Sequence, residues 1–89
     1  MKSLAITVSG KVQGVFFRAS AKEKAEALGI NGFVRNEPNG DVYIEAEGED
    51  EPVEKFIQWC RQGPPRSVVK SAEVVECPAK GFALFEVRR

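Results

Sequence analysis

The chain has 89 residues, of which 43% are hydrophobic and 29% charged, with 13 Lys and Arg balanced by 13 Asp and Glu. A chain of this size buries only about 60–65% of its unfolded surface, so residues 1–89 are expected to form one domain, with no room for a repeat array or a large substrate cleft. Zero net charge speaks against a general nucleic-acid binder, which needs an excess of positive charge, and no apolar run approaches the ~20 residues that cross a bilayer.

The short apolar stretch in MKSLAITVSGK reads as a strand and not as a signal peptide. Two cysteines, Cys60 and Cys77, stand seventeen positions apart without a CxxC spacing and read as reduced cytosolic thiols acting as small hydrophobes. There is no histidine. That removes the side chain that titrates unperturbed near pH 7, the Ser-His and Cys-His catalytic pairs, and nearly all ordinary transition-metal sites. Neither a metal nor a cofactor is expected.

Leu4, Ile6 and Val8 alternate with Ala5, Thr7 and Ser9, the period of a strand with one buried face. Gly10 to Phe16 breaks this pattern. Phe17 to Leu28 is rich in Ala, Lys and Glu and reads as a helix, with Ala21, Ala25 and Leu28 on one face and Gly29 as its stop. Ile30 to Asn36 is a second strand. Glu37-Pro38-Asn39-Gly40 is turn chemistry, with Asn and Gly able to take positive φ.

Asp41 to Glu47 returns as a third strand, with Val42, Ile44 and Ala46 facing in and Tyr43, Glu45 and Glu47 facing out. Asp50 is the expected cap of a second helix with Pro52 in its first turn. In that helix Val53, Phe56, Ile57 and Cys60 recur at helical spacing, and Gly63-Pro64-Pro65 ends it. Val68 to Glu76 and Phe82 to Val87 are the fourth and fifth strands.

The order predicts an α+β chain of the ferredoxin-like, split β-α-β arrangement: β-α-β-β-α-β plus a fifth strand, with both helices on one face of a mainly antiparallel sheet in spatial order 4-1-3-2. The alternating directions bring the end of strand 1, the start of helix 1 and the end of strand 2 to one end of the sheet. There Gly10–Arg18 meets Asn36. The fifth strand runs toward that same end on whichever edge it joins, carrying Arg88 and Arg89 with it. The directions also place Cys60 and Cys77 at opposite ends of the sheet, so no disulfide is expected between them.

The strand-to-helix segment Gly10-Lys11-Val12-Gln13-Gly14-Val15-Phe16-Phe17-Arg18 suits a phosphate-sized anion. Its glycines let backbone amides turn inward, and the helix adds unpaired N–H groups and its positive dipole end. A cation in a first helical turn opposes that dipole, so Arg18 makes better sense with an anion between it and the amides, where its fork can hold two oxygens. The same spacing also describes a plain turn followed by a surface arginine. Asn36 can donate to one group and accept from a water, or simply satisfy the turn it enters. Lys11 reads as a solvated loop charge, and Phe16 and Phe17 as core or cradle wall.

The run from Val8 to Arg18 resembles the first signature of the acylphosphatases, V-x-G-x-V-Q-G-V-x-F-R. Gly32-Phe33-Val34-Arg35-Asn36 with Gly40, Val42 and Gly48 is similar to their second. The likeness covers the chain, with one departure: it reads Val87-Arg88-Arg89 where many members have an aromatic residue near the end. The resemblance implies a small cytosolic hydrolase of the carboxyl-phosphate anhydride. Its substrate would be an acyl phosphate and one product inorganic phosphate. It also implies that Arg18 and the amides of Val12, Gln13, Gly14, Val15, Phe16, Phe17 and Arg18 hold the phosphate, while Asn36 orients the attacking water.

The residues agree with that chemistry. Ser9 and Ser20 have no histidine to activate them, and nothing stands ready to protonate a poor leaving group. A carboxylate needs no such acid, so it remains only to neutralise phosphoryl oxygens and place a water in line. A cytoplasmic monomer without nucleic-acid or membrane partners is expected. Three alternatives stay open: a non-catalytic phosphate-binding module, an RNA-binding module, and an acylphosphatase-like module acting on carbamoyl phosphate. The RNA reading is weakened by a first strand without aromatics and a third with only Tyr43.

Overall fold

In the computed structural model, which describes all 89 residues, β1 runs from Lys2 to Lys11 with Leu4, Ile6 and Val8 buried on one face. It is followed by α1 (Phe17–Leu28), β2 (Asn31–Asn36), β3 (Val42–Gly48), α2 (Asp50–Gln62), β4 (Val68–Glu76) and β5 (Phe85–Arg88). The five strands lie in the order β4-β1-β3-β2-β5. The inner four obey the expected 4-1-3-2 order, and β5 joins the β2 edge in parallel, Gly32 opposite Phe85 and Arg35 opposite Arg88.

Both helices supply the residues their spacing predicts. Ala21 and Ala25 of α1 are fully buried, and such small side chains let a helix approach a sheet closely. Val53, Phe56, Ile57 and Cys60 are the buried face of α2. These pack with Ile6, Val34, Val42, Ile44 and Phe85 in one core, each large apolar side chain contributing about 1.5–3 kcal/mol by its removal from water. Gly29 ends α1 in the left-handed conformation, its N–H on the carbonyls of Ala25 and Glu26.

Beyond one-residue shifts at strand ends, with β2 starting at Asn31 and β3 running from Val42 to Gly48, the structure departs from expectation in four places. Glu45 and Glu47 point to the face opposite the helices, as alternation requires, yet both are buried. The segment between β4 and β5 folds over them. Glu47 accepts from the amides of Lys80, Gly81 and Phe82, and Glu45 pairs with Lys80 Nζ while accepting from Tyr43 Oη at 2.9 Å. β5 therefore begins at Phe85 and not at Phe82, because the Phe82 amide is committed to the Glu47 carboxylate. Asp50 is not the cap of α2. Glu49 holds that position without a side-chain hydrogen bond, and Asp50 lies in the first turn, where its charge favours the dipole. In the β2–β3 turn only Gly40 takes positive φ; Asn39 instead accepts the Asp41 amide on its side chain at 3.0 Å.

Cys60 is buried near the end of α2. Cys77 lies beside Ser3 at the far end of β1, its amide donating to the Ser3 carbonyl. Both thiols are free. No helix is long and apolar enough to cross a membrane.

Candidate active site

β1 closes against β4 with a register shift at Ser9/Gly10. Gly10 has φ +124°, and a Cβ there would stand 2.2 Å from the Val68 carbonyl oxygen, so only glycine lets the chain turn off the sheet at this point. The loop that follows alternates its side chains. Val12, Val15 and Phe17 are buried, while Gly14 and Phe16 are exposed. Three apolar anchors thus hold the loop down with its backbone outward. The N–H groups of Val12 to Phe16 donate to no acceptor within the chain, and the first amides of α1 have no intrahelical partner either. Gly14 and Phe16 both take left-handed backbone, φ 72° and 63°.

Arg18 sits in the first turn of α1, where there is no acidic residue. Its guanidinium pairs with no carboxylate; Nη1 donates to the Arg88 carbonyl at 3.4 Å. Asn36, at the end of β2, lies across from it. Its Oδ1 is buried with no hydrogen-bond partner, an arrangement that costs about 1–3 kcal/mol in an ordinary interior.

One cleft of about 520 Å³ brings these groups together, with Arg18, Asn36, Gly14, Phe16 and Arg89 in its walls and no Asp or Glu among its lining residues. Two guanidinium groups, unpaired amides and a helix N-terminus concentrate positive charge there. No group of three or more His, Cys, Asp or Glu side chains is placed to hold a metal ion.

Of the residues singled out from the sequence, Arg18, Asn36, Val12, Gly14, Phe16 and Phe17 all line this cleft. Val15 is buried in the core and does not line it. Gln13 turns away from it: its Nε2 donates to the carbonyls of Glu37 at 2.8 Å and Asp41 at 2.9 Å, across the β2–β3 turn. Lys11 is exposed and outside the cleft. The sequence did not point to Val87 as a wall residue, nor to the Arg88 carbonyl as the group against which Arg18 rests. Both depend on which edge β5 joins, and the strand pattern left that edge undecided.

The acylphosphatase family model matches residues 4–87. An acylphosphatase of Rubrobacter xylanophilus is 51% identical over 98% of this chain and 80% of its own length. Among solved structures, the acylphosphatase of Bacillus subtilis superposes with a TM-score of 0.96 at 32% identity, covering all of both chains. That of Coxiella burnetii gives 0.94 at 40% identity, over 98% of this chain and 92% of its own. The signatures that shape the cleft therefore sit in a chain whose whole length and fold match these proteins, and the chain belongs to the acylphosphatase family.

Proposed function

We propose that the chain acts as a single-domain, monomeric, cytoplasmic acylphosphatase in which Arg18 and the amides of residues 12–18 bind the phosphoryl group and Asn36 positions the attacking water. The observation that carries this assignment is the isolation of Arg18, a cation at a helix N-terminus with no carboxylate partner. An anion between the guanidinium and the amides turns an unfavourable placement into a bidentate, charge-assisted one.

The reaction then needs little more. Water, held by the Asn36 amide, attacks phosphorus in line with the carboxylate oxygen. The P–O bond to that oxygen breaks as the new P–O bond forms, and the water's proton passes to a phosphoryl oxygen of the substrate. The products are a carboxylate and inorganic phosphate. The charge that spreads over the phosphoryl oxygens is met by donors already in place, the most effective form of stabilisation for this chemistry. The cleft holds no group to protonate an alkoxide or phenolate, so ordinary phosphate monoesters should be refused. The segment between β4 and β5 covers Glu45 and Glu47 on the face of β3 away from the helices, which further disfavours an RNA partner there.

The test is hydrolysis of benzoyl phosphate and p-nitrophenyl phosphate side by side, with and without EDTA. Turnover of the first alone, unchanged by chelator, is expected. Comparable rates on both, or a loss of activity with EDTA, would refute the mechanism.

A further inference from the structure

We propose that Phe16 is the acyl-side wall of this cleft and selects acyl phosphates with a flat, aromatic acyl group over those with a short one; the proposal rests on the acylphosphatase reading above. Phe16 is the only residue other than glycine with positive φ, at 63°, and its side chain is 72% exposed. A bulky residue in the left-handed region is strained, and a large exposed ring gains nothing from burial. Both disadvantages fall on the N-cap of α1, where Ser, Asn, Asp or Gly would serve the helix better and where Phe16 makes no capping hydrogen bond. The first signature leaves this position free, so the loop backbone does not demand a phenylalanine.

The rest of the cleft gives the ring a purpose. Val12 and Phe17 are each 1% exposed and offer a ligand little surface. The large apolar side chains left exposed on the lining are Phe16 and Val87. With the phosphoryl group on the amides and Arg18, in-line attack by a water at Asn36 would direct the leaving carboxylate, with its acyl group, away from that water. An aromatic acyl group leaving by that path can pack on the Phe16 ring in an offset or edge-on arrangement, which an acetyl group cannot.

The experiment measures kcat/KM for benzoyl phosphate and for acetyl phosphate and compares the ratio across variants, so that any general loss from disturbing the loop cancels. Phe16→Ala should lower the benzoyl-to-acetyl ratio by about three- to tenfold. Phe16→Gly relieves the backbone strain and should lower the ratio as alanine does, whereas Phe16→Tyr, which keeps the ring, should preserve it. Hydrolysis of both substrates with an unchanged ratio in the Ala and Gly variants overturns the role of Phe16 alone. Hydrolysis of neither substrate by the wild type overturns the acylphosphatase reading and this proposal with it.

Discussion

Gln13 Nε2 donates to the carbonyl of Glu37 at 2.8 Å, so a side chain of the cradle loop closes the turn that Asn36 opens. The same nitrogen reaches the Asp41 carbonyl on the far side of that turn at 2.9 Å. These are the side-chain hydrogen bonds that tie the loop to the β2–β3 hairpin, which makes Gln13 a positioning residue for the distance between the amides and Asn36. Gln13→Ala should lower stability by about 1–2 kcal/mol for two part-buried hydrogen bonds. It should also lower kcat by about ten- to a hundredfold, because small misplacements of a reacting group are expensive. Inhibition by inorganic phosphate should change little. A reduced denaturation midpoint with kcat intact would reduce Gln13 to a structural brace.

Arg18→Gln removes the charge and the fork and leaves a shorter, neutral amide. Each donor lost from a preorganised anion site costs about 2.7–4 kcal/mol in the transition state, and a charged bidentate donor should lie at or above that range. Turnover should fall below detection. Inorganic phosphate should bind the wild type as a competitive product and should scarcely bind the folded variant. Retention of most activity would mean that the phosphoryl group is held elsewhere.

Asn36→Ala should separate catalysis from both binding and folding. Water placement matters in the transition state and hardly in the ground state, so kcat should collapse while KM and the phosphate inhibition constant move little. Since Asn36 Oδ1 is buried without a partner, its removal should leave stability unchanged or slightly raised. A large rise in KM with kcat preserved would make Asn36 a substrate ligand, and a marked loss of stability would show that its amide serves the fold.

The meeting of Arg18 and Asn36 was legible in the sequence because it follows from strand and helix directions, which alternate once the element order is known. Gly10, Gly29 and the alanines of α1 were legible for local reasons: each residue type answers a backbone or packing need that spacing reveals. The burial of Glu45 and Glu47 was not, because alternation assigns a side chain to a face and says nothing about a loop that later covers it. For Phe16 the sequence left core and cradle wall both open. Apolar character argues for the interior, and only the backbone, at φ 63°, turns this residue out beside a buried Phe17. The span between the Gln13 side chain and Glu37 lies across two separate turns, where no periodicity operates.

The two thiols should differ in the native protein. Burial holds the Cys60 thiol well above its ordinary range and keeps reagents from it, with the nearby Arg61 charge only partly offsetting this. Cys77 is half-buried beside Ser3. Titration of the native, unreduced protein with a thiol reagent should therefore count one fast group, and titration of the denatured protein two. Fewer than two in a denatured monomer would contradict the placement of Cys60 and Cys77 at opposite ends of the sheet.

The carboxylate of Glu47 makes the strap that leads into β5 sensitive to acid. Its burial alone would raise the pKa, but the amides of Lys80, Phe82 and Gly81 and the Ser3 hydroxyl outweigh burial and hold it below the usual value. Glu45 is lowered likewise: burial raises it, and Lys80 and Tyr43 more than reverse this. A carboxylate depressed in the folded state stabilises the protein above its unfolded pKa of about 4.3, and that contribution is lost as the pH falls through the folded value. Glu47→Gln should thus destabilise by about 1–3 kcal/mol at pH 7, the cost of donors left without a charged acceptor. The gap between wild type and variant should persist at pH 5 and close below about pH 4. Urea denaturation at pH 7, 5 and 3 measures it, and a gap independent of pH would refute the linkage. Because the strap delivers Val87, Arg88 and Arg89 to the cleft, the amides of β5 should exchange with solvent faster in the variant than those of β1 and β3.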